Sequence, residues 1–436
     1  MVPNPALINA VEQLGYRVTV GDVATQAGLN VAIAEQGLLA LASDAGGHLQ
    51  VAETGDLVYR FPENLRGILR SRSLKLRLQE TWQRIWRVLF YLIRISFGTI
   101  LIASIVIILL AIVALAIAAS GNRDEDDRGG GGGMVFMPRF STWDLFWIYD
   151  FGGEPRRRDR SERDGKPEMN FFESVFSFLF GDGNPNADLD ERRWRAIGNV
   201  IQANGGAVVA EQIAPYVDDL GADPEEEDYM LPVLLRFNGT PEVSPSGELV
   251  YRFPELQVRA ATPTRTLGNL SASYLKEEHW LFSRAESGQL VMAAGLGILN
   301  FVGALVLGGM LGDGAIAAEL GGFIGFVSAI YGVLLVYGIA FLAVPALRFL
   351  WLKGYNAKVE SRNRSRQERA HSFQTNAQSP KIQGKLAFAQ QFAETQTIAE
   401  DDLAYTTETD LSTQELENPD RVDAEWRRRL ESGSSN

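Results

Sequence analysis

"GDLVYRFPE" (Gly55–Glu63) and "GELVYRFPE" (Gly247–Glu255) stand 192 residues apart in this 436-residue chain and differ only by Asp for Glu. A valine precedes each glycine by four positions, Val51 and Val243. Alternating Leu, Tyr and Phe against Val and Arg, with a glycine at the start, read as a strand following a tight turn. Upstream of the first copy, Tyr16–Thr19 reads as a short strand and Val20–Ala27 as a helix broken at Gly28, the residue suited to φ > 0. Asn30 then caps a second helix over Val31–Ser43, and "HLQVAETGDLVYRF" closes the unit as two strands. Helix, glycine turn, helix and hairpin make residues 1–63 a winged-helix-like domain.

The second copy fits the same template. Arg193–Asn204 and Ala207–Val217 read as its first two helices, Pro224–Phe237 as a third that carries Pro232, and Pro241–Phe253 as the hairpin, giving a second winged-helix-like domain over 191–258. The shared Arg followed by Phe-Pro-Glu marks Tyr59, Arg60, Phe61, Tyr251, Arg252 and Phe253 as candidate docking residues. Plain core-facing alternation accounts for most of the same pattern.

Between and after these domains the chain turns apolar. Ile95–Ala119 holds 25 residues without a charge, more than the ~20 that cross a bilayer. Gly288–Leu311 and Leu320–Leu350 follow, joined by a connector short enough to make 288–350 a transmembrane hairpin. Gly308/Gly312 and Gly321/Gly325 have the small-xxx-small spacing that lets helices approach closely. Residues 64–94 read as a basic amphipathic helix on the membrane surface, 120–190 as a Gly-rich linker with aromatic interfacial segments, and 351–436 as a polar tail with short helices. The fold class is α+β: two winged-helix-like domains, about three transmembrane α-helices and a helical, partly disordered C-terminal tail.

The basic flanks pose a puzzle. Leu65–Arg94 holds eight basic residues against Glu80, and Lys353–Arg369 six against Glu360 and Glu368. The positive-inside rule places both on the cytoplasmic or stromal side, yet three crossings separate them. A return of the chain within 120–190 is required.

Composition excludes much chemistry. The chain has no cysteine and three scattered histidines, which removes disulfides, thiol catalysis and ligand sets for zinc or iron–sulfur clusters. No paired carboxylate, nucleophile–base set or nucleotide motif stands out, so neither an enzyme nor a cofactor is expected. "DGNPNADLDERR" (Asp182–Arg193) imitates a calcium loop but has Ala187 where Gly is needed and Arg193 where Glu is needed. No leader with a basic start and apolar core opens the chain. Residues 1–63 carry two basic and seven acidic residues, and 191–255 five and twelve. Such surfaces repel phosphate, so no nucleic acid is expected as a partner.

"RISFGTILIASIVI", "DLFWIYD", "NFFESVFSFLFGDGNPN" and "RRWRAIGNVIQANGGAVVAEQIAPYV" resemble a family of integral membrane proteins of cyanobacteria and plastids with poorly defined function. Plastid members sometimes carry an iron–sulfur-assembly label, which a cysteine-free chain does not fit. The resemblance implies a thylakoid or plasma membrane and supplies no site residues. The expected function is a non-enzymatic membrane protein docking an unidentified protein partner at the bilayer, in assembly or maintenance of a photosynthetic complex. A membrane-tethered transcription regulator and a small transporter are the alternatives.

Overall fold

Pro5 opens the first helix, α1 (Pro5–Gln13), where its missing N–H costs nothing, and Asn4 caps it by accepting from the Ala6 amide at 3.0 Å. The computed structural model describes residues 4–72, 74–121, 169–221, 223, 226–260, 274–312 and 321–409. They divide into two units. The first holds residues 1–82, 185–279 and 357–436, and the second 83–184 and 280–356.

In the first unit, β1 (Arg17–Val18) leads to α2 (Val20–Ala27), α3 (Val31–Ala45), β2 (His48–Ala52) and β3 (Leu57–Arg60). Thr19 and Asp22 form a reciprocal capping box at the start of α2, and Gly28 ends it in the left-handed conformation. The second stretch runs α4 (Leu189–Ala203), β4 (Ala207–Val208), α5 (Ala210–Ile213), α6 (Leu231–Phe237), β5 (Thr240–Val243) and β6 (Leu249–Arg252). Strand order is β1-β3-β2 in one sheet and β4-β6-β5 in the other. The registers correspond: Val18 and Leu49 flank Tyr59, while Val208 and Pro241 flank Tyr251. So do the closures. The Phe61 amide donates to Tyr16 O at 2.8 Å and the Phe253 amide to Gly206 O at 2.7 Å, with Tyr16 and Gly206 both at positive φ. Gly47 and Gly239 each leave room for the ring of the following phenylalanine, Phe61 or Phe253; an added Cβ would stand 2.9 or 2.4 Å from it.

A single apolar core runs through both stretches, from Leu7, Leu38 and Tyr59 to Ile201, Phe237 and Phe253. Its seam is α2 on α4. There the Gly28 Cα faces Trp194 and Glu191, and Gly198 of α4 lies against Thr25. Arg195 Nε donates to Gln26 O at 2.6 Å across the seam.

The outer face of each sheet is covered as well. The last described segment supplies α7 (Pro380–Gln390), β8 (Gln396–Thr397) and β9 (Leu403–Thr406). The α7 residue Ala389 packs on Ala207, Val209 and Val250. Strand β8 pairs in parallel with β7 (Val258–Arg259), and Ile398 with Ala260 covers Ala52 and Val58. Strand β9 pairs with β2 and closes that edge. Residues 379–409, within the polar tail with short helices expected over 351–436, are thus packed as part of the fold; 410–436 lie outside the described residues.

The second unit contains the apolar helices. Helix α8 (Leu74–Gly121) continues without a break from the basic stretch into the first apolar run, so the boundary expected at residue 94 is not a structural one. Helices α9 (Phe171–Phe180), α10 (Ser287–Leu311) and α11 (Gly322–Asn376) pack with it; a short α12 (Leu65–Arg72) precedes α8. Among the described residues three helices are long and apolar enough to cross a membrane: those containing Arg84–Ala118, Ser287–Leu311 and Gly322–Asn376. The 313–320 connector, and the aromatic segment 134–151, lie outside the described residues.

Four local expectations are corrected. Ala207–Val208 is strand, and the helix after it spans only Ala210–Ile213, because Pro215 has no N–H to continue the ladder. The third helix of the second stretch begins at Leu231 after a single 3-10 turn, which puts Pro232 in its first turn, where it is tolerated rather than strained. The span after the connector does not end at Leu350 but continues to Asn376. Of the four spaced glycines, Gly308 lies under the Tyr331 ring, whereas Gly312, Gly321 and Gly325 meet no neighbouring helix among the described residues. The close approaches fall at Gly297 under Phe341 and at Gly338 against Phe301.

The seating of Phe253 is testable. Gly239→Ala drives a methyl into its ring and is expected to cost about 1–3 kcal/mol. Gly46→Ala meets open space and costs only the left-handed backbone, about 1–2 kcal/mol. Denaturation midpoints of the detergent-solubilised chain should fall further for Gly239→Ala.

Candidate functional site

The six residues singled out in the paired nonapeptides do not make a surface. Tyr59, Phe61, Tyr251 and Phe253 are buried in the shared core, which corrects the docking reading for all four: each strand turns its rings inward and the outer sheet faces are already covered. Arg60 remains exposed and pairs with Glu408 at 3.2 Å and Glu400 at 3.8 Å. Arg252 is half-buried.

Surface is offered instead by α3 and α6. Helix α3 turns Ala32, Ile33, Glu35, Gln36 and Leu39 outward, and α6 exposes Leu231 and Leu235, the last 70% accessible. The two helices meet where Asn30 Nδ2 donates to Leu235 O at 3.0 Å. Arg236 is the sole basic residue of the pair, and it points inward. Its guanidinium donates to Gly28 O at 2.5 and 3.2 Å and stacks on Trp194 at 4.3 Å. Burial lowers its pKa, opposed by Asp190, but an arginine stays charged regardless. The face is apolar and acidic, with its only cation turned into the seam.

A second feature is a cleft of about 780 Å³ between the second sheet, α7 and the end of α11, lined by Glu211, Glu227, Tyr229, Arg369, Ser372 and Lys385 among others. Lys385 is 4% exposed and bonds Glu227 at 2.7 Å and Glu211 at 2.8 Å. Glu227, held at φ 54°, also accepts from the Tyr251 hydroxyl at 2.8 Å. Burial alone would lower the Lys385 pKa, but its bonds to Glu211 and Glu227 outweigh that and raise it. Burial first, then the hydrogen bond to Glu227, pushes Tyr251 well above the usual phenol range. The cluster fastens α7 to the second sheet. Among the described residues no group of three or more His, Asp or Glu stands ready to hold a metal.

The basic flank after the last apolar run is committed in the same way. Arg366, 1% exposed, bonds Glu277 at 2.7 Å and also reaches Asp218, while Arg362 bonds Glu277 at 2.6 Å. Arg369 donates to Val217 O at 2.7 Å and Ala214 O at 3.1 Å. No residue of the calcium-like loop is arranged as a ligand: Asp182 accepts from Ser177 and Arg94, and Asn186 brackets the Glu278 backbone.

Sequence reasoning missed these two charge clusters. Their ion-paired partners are 85 to 174 residues apart in the chain, so no spacing announces them. Removing one partner leaves the others buried and unpaired, which costs about 3–5 kcal/mol. Lys385→Ala should therefore lower stability by that order in a denaturant titration. For Glu277, burial raises the pKa but the bonds from Arg362 and Arg366 overcome it and hold the carboxyl below its usual 4.5. Its stabilisation is present above that value and lost as pH falls through the lower folded value. The stability gap between wild type and Glu277→Gln should close on acidification below about pH 4.5.

No family model matches the chain, and no solved structure matches it. It is similar to the uncharacterized chloroplastic protein At5g03900 of Arabidopsis thaliana, with 37% identity over 437 residues, covering 97% of this chain and 81% of the relative. That name carries no iron–sulfur assignment. Identity at this level along almost the whole length carries both the apolar helices and the sheets, and the chain belongs to the family of this chloroplastic protein.

Proposed function

We propose that this is a non-enzymatic integral membrane protein in which residues 1–63 and 191–258 are two copies of a winged helix, used to dock proteins at a photosynthetic membrane. The shared strand order and matching registers support the duplication. The observation that carries the docking reading is Arg236: the sole cation of both third helices is bonded to Gly28 O, which leaves Ile33, Leu39, Leu231 and Leu235 outward beside Glu35. Winged helices that read DNA place basic side chains there. An apolar, acidic face suits a protein surface with basic and apolar groups. The relative is chloroplastic, which is compatible with a plastid membrane, and assembly or maintenance of a membrane complex there is the role proposed. A regulator binding DNA has no phosphate-contacting side chain on either helix. Transport has little support inside the helices, where buried Asn300 bonds Ser104 at 2.6 Å and lines no passage.

The sidedness puzzle has a consistent answer in this reading. Helix α9 lies against the middle of α8, where the apolar run begins, with Phe176 against Phe90 and Phe97 and Phe172 over Gly98. The chain leaves α8 at Gly121, about 35 Å further along at 1.5 Å per residue. Both sheets share one core, so each departure from that unit must end on the side where it began. Helices α10 and α11 make one out-and-back pair, and α8 requires a return before α9. Both basic flanks then face the cytoplasm or stroma.

Three experiments test this. A photo-cross-linker at Leu235 should trap a partner in native membranes, and Ile33→Asp with Leu235→Asp should cut the adduct at least about tenfold, the effect of losing apolar anchors. The full chain should give no DNA shift at low salt, and a shift would overturn the docking reading. Because the chain lacks cysteine, single cysteines report sidedness cleanly. Residues 53, 246 and 400 should label from one side of sealed vesicles, and 120 and 312 from the other. Labelling of 53 and 400 from opposite sides would overturn the topology.

A further inference from the structure

Beside the middle of α11, where its apolar run ends, lies an apolar groove of about 450 Å³, lined by Phe178, Phe282, Leu342, Pro345, Ala346 and Phe349, with Leu350 beyond. Its volume falls within the ~300–1,000 Å³ typical of small-molecule sites. The walls are rings: Phe178 meets Phe282 edge to face at 5.9 Å, and Phe282 meets Phe349 at 6.3 Å. The floor is thin because the exposed residue there is Ala346, with Pro345 buried beside it. Pro345 also withdraws its N–H from the helix ladder.

Aromatic and cationic groups fix the level of this groove. Trp280, Trp351 and Tyr355 pack on one another at 5.2–5.7 Å just past it, the grouping that settles at a membrane–water boundary. Arg348 stands behind the groove wall, stacked on Phe282 at 4.7 Å and bonded to the Phe178 and Ser177 carbonyls at 3.1 and 3.2 Å. The nearby carboxylate, Asp182, is paired with Arg94 at 3.2 Å and accepts from the Arg284 amide. Arg94 and Arg348 against Asp182 leave one positive charge in the wall. Lys353 is exposed on the same face of α11, seven residues after Ala346 and four after Phe349, and the Arg284 side chain is exposed two residues after Phe282. The exposed acid nearby is Glu286.

We propose that this groove binds one anionic glycerolipid, an acyl chain lying over Pro345 and Ala346 and the phosphate taken by Lys353 and Arg284 at the aromatic level. The inference rests on the membrane reading above. A groove on an apolar span meets hydrocarbon, and the local excess of cations selects the negatively charged headgroup. Pairing of Arg348 with backbone carbonyls holds the wall in place, so the selecting charges are the exposed pair.

The test uses the full chain in nanodiscs of equal parts phosphatidylcholine and phosphatidylglycerol, followed by detergent release and native mass spectrometry of retained lipid. Wild type should keep one phosphatidylglycerol per chain, enriched about fivefold over phosphatidylcholine, the selectivity of the one net positive charge that Lys353 and Arg284 keep against exposed Glu286. Lys353→Glu with Arg284→Glu should abolish the enrichment, and Ala346→Trp should empty the groove of either lipid. Equal retention of the two lipids by wild type, or unchanged retention by Ala346→Trp, would overturn the site. Alkaline carbonate extraction, run alongside, separates the two ideas. A chain that resists extraction but shows no selectivity loses the lipid site alone, and a chain that is extracted loses the membrane reading.

Discussion

The close seating of α2 on α4 is the constraint on which the rest depends. It works because the contact is built from residues with little or no side chain. A Cβ on Gly21 would collide with the Glu255 carbonyl, one on Gly28 would press on Glu191 O and Trp194, and one on Gly198 would strike Thr25. Backbones that approach this closely merge two small cores into one. Each of these sheets has only three strands of its own, and a domain of about 60 residues is marginal when alone. Sharing a core removes that weakness. It also sets the chemistry of the exposed face, since Gly28 ends α2 with its carbonyl presented to Arg236. The same bond that caps the seam withdraws the cation a nucleic-acid reader needs.

Charge is used throughout to fasten segments that are distant in sequence. Lys385 joins the last helix to the second sheet, and Arg366 with Arg362 joins the end of α11 to Glu277. Buried ion pairs contribute little net stability compared with apolar replacements, but they penalise wrong pairings heavily. Two carboxylates, Glu227 and Glu211, held on one buried lysine specify a single seat for α7. An apolar helix face would tolerate sliding along Val250 and Ala207. The acidic balance of the chain follows partly from this use, since Glu211, Glu227 and Glu277 are structural and not part of a solvated coat.

Much of this was legible in the sequence, and for clear reasons. Helix α2 was placed to the residue because Thr19 and Gly28 are strong terminal signals, and the hairpins because glycine at 55 and 247 leaves few alternatives. The apolar spans declared themselves by length. The second copy was read less well. Pro215 and Pro232 sit where their effect depends on position within the turn, and a pattern of apolar residues does not reveal that position. Helix α1 was missed although Asn4-Pro5 is an N-terminal signature. The docking residues failed for a different reason. Tyr59, Phe61, Tyr251 and Phe253 are the core-facing half of the alternation, so plain packing accounts for them and the shared Arg-Phe-Pro-Glu carried no surface information.

The segment that covers the outer sheet faces also explains how the polypeptide can carry long apolar excursions without losing its folded unit. Departures at residues 83 and 280 are closed by returns at 185 and 357, and the last described stretch then ties all three pieces together, through β9 on β2, Ile398 on Val58 and α7 on Val250. A chain assembled in that order cannot complete its first sheet edge until its final segment has been made. The edge strand of the first sheet and the cover of the second are therefore added only after the described apolar helices have emerged. Completion of the folded unit is coupled by topology to synthesis of its last segment, a coupling that a pair of independent domains on flexible linkers would not have.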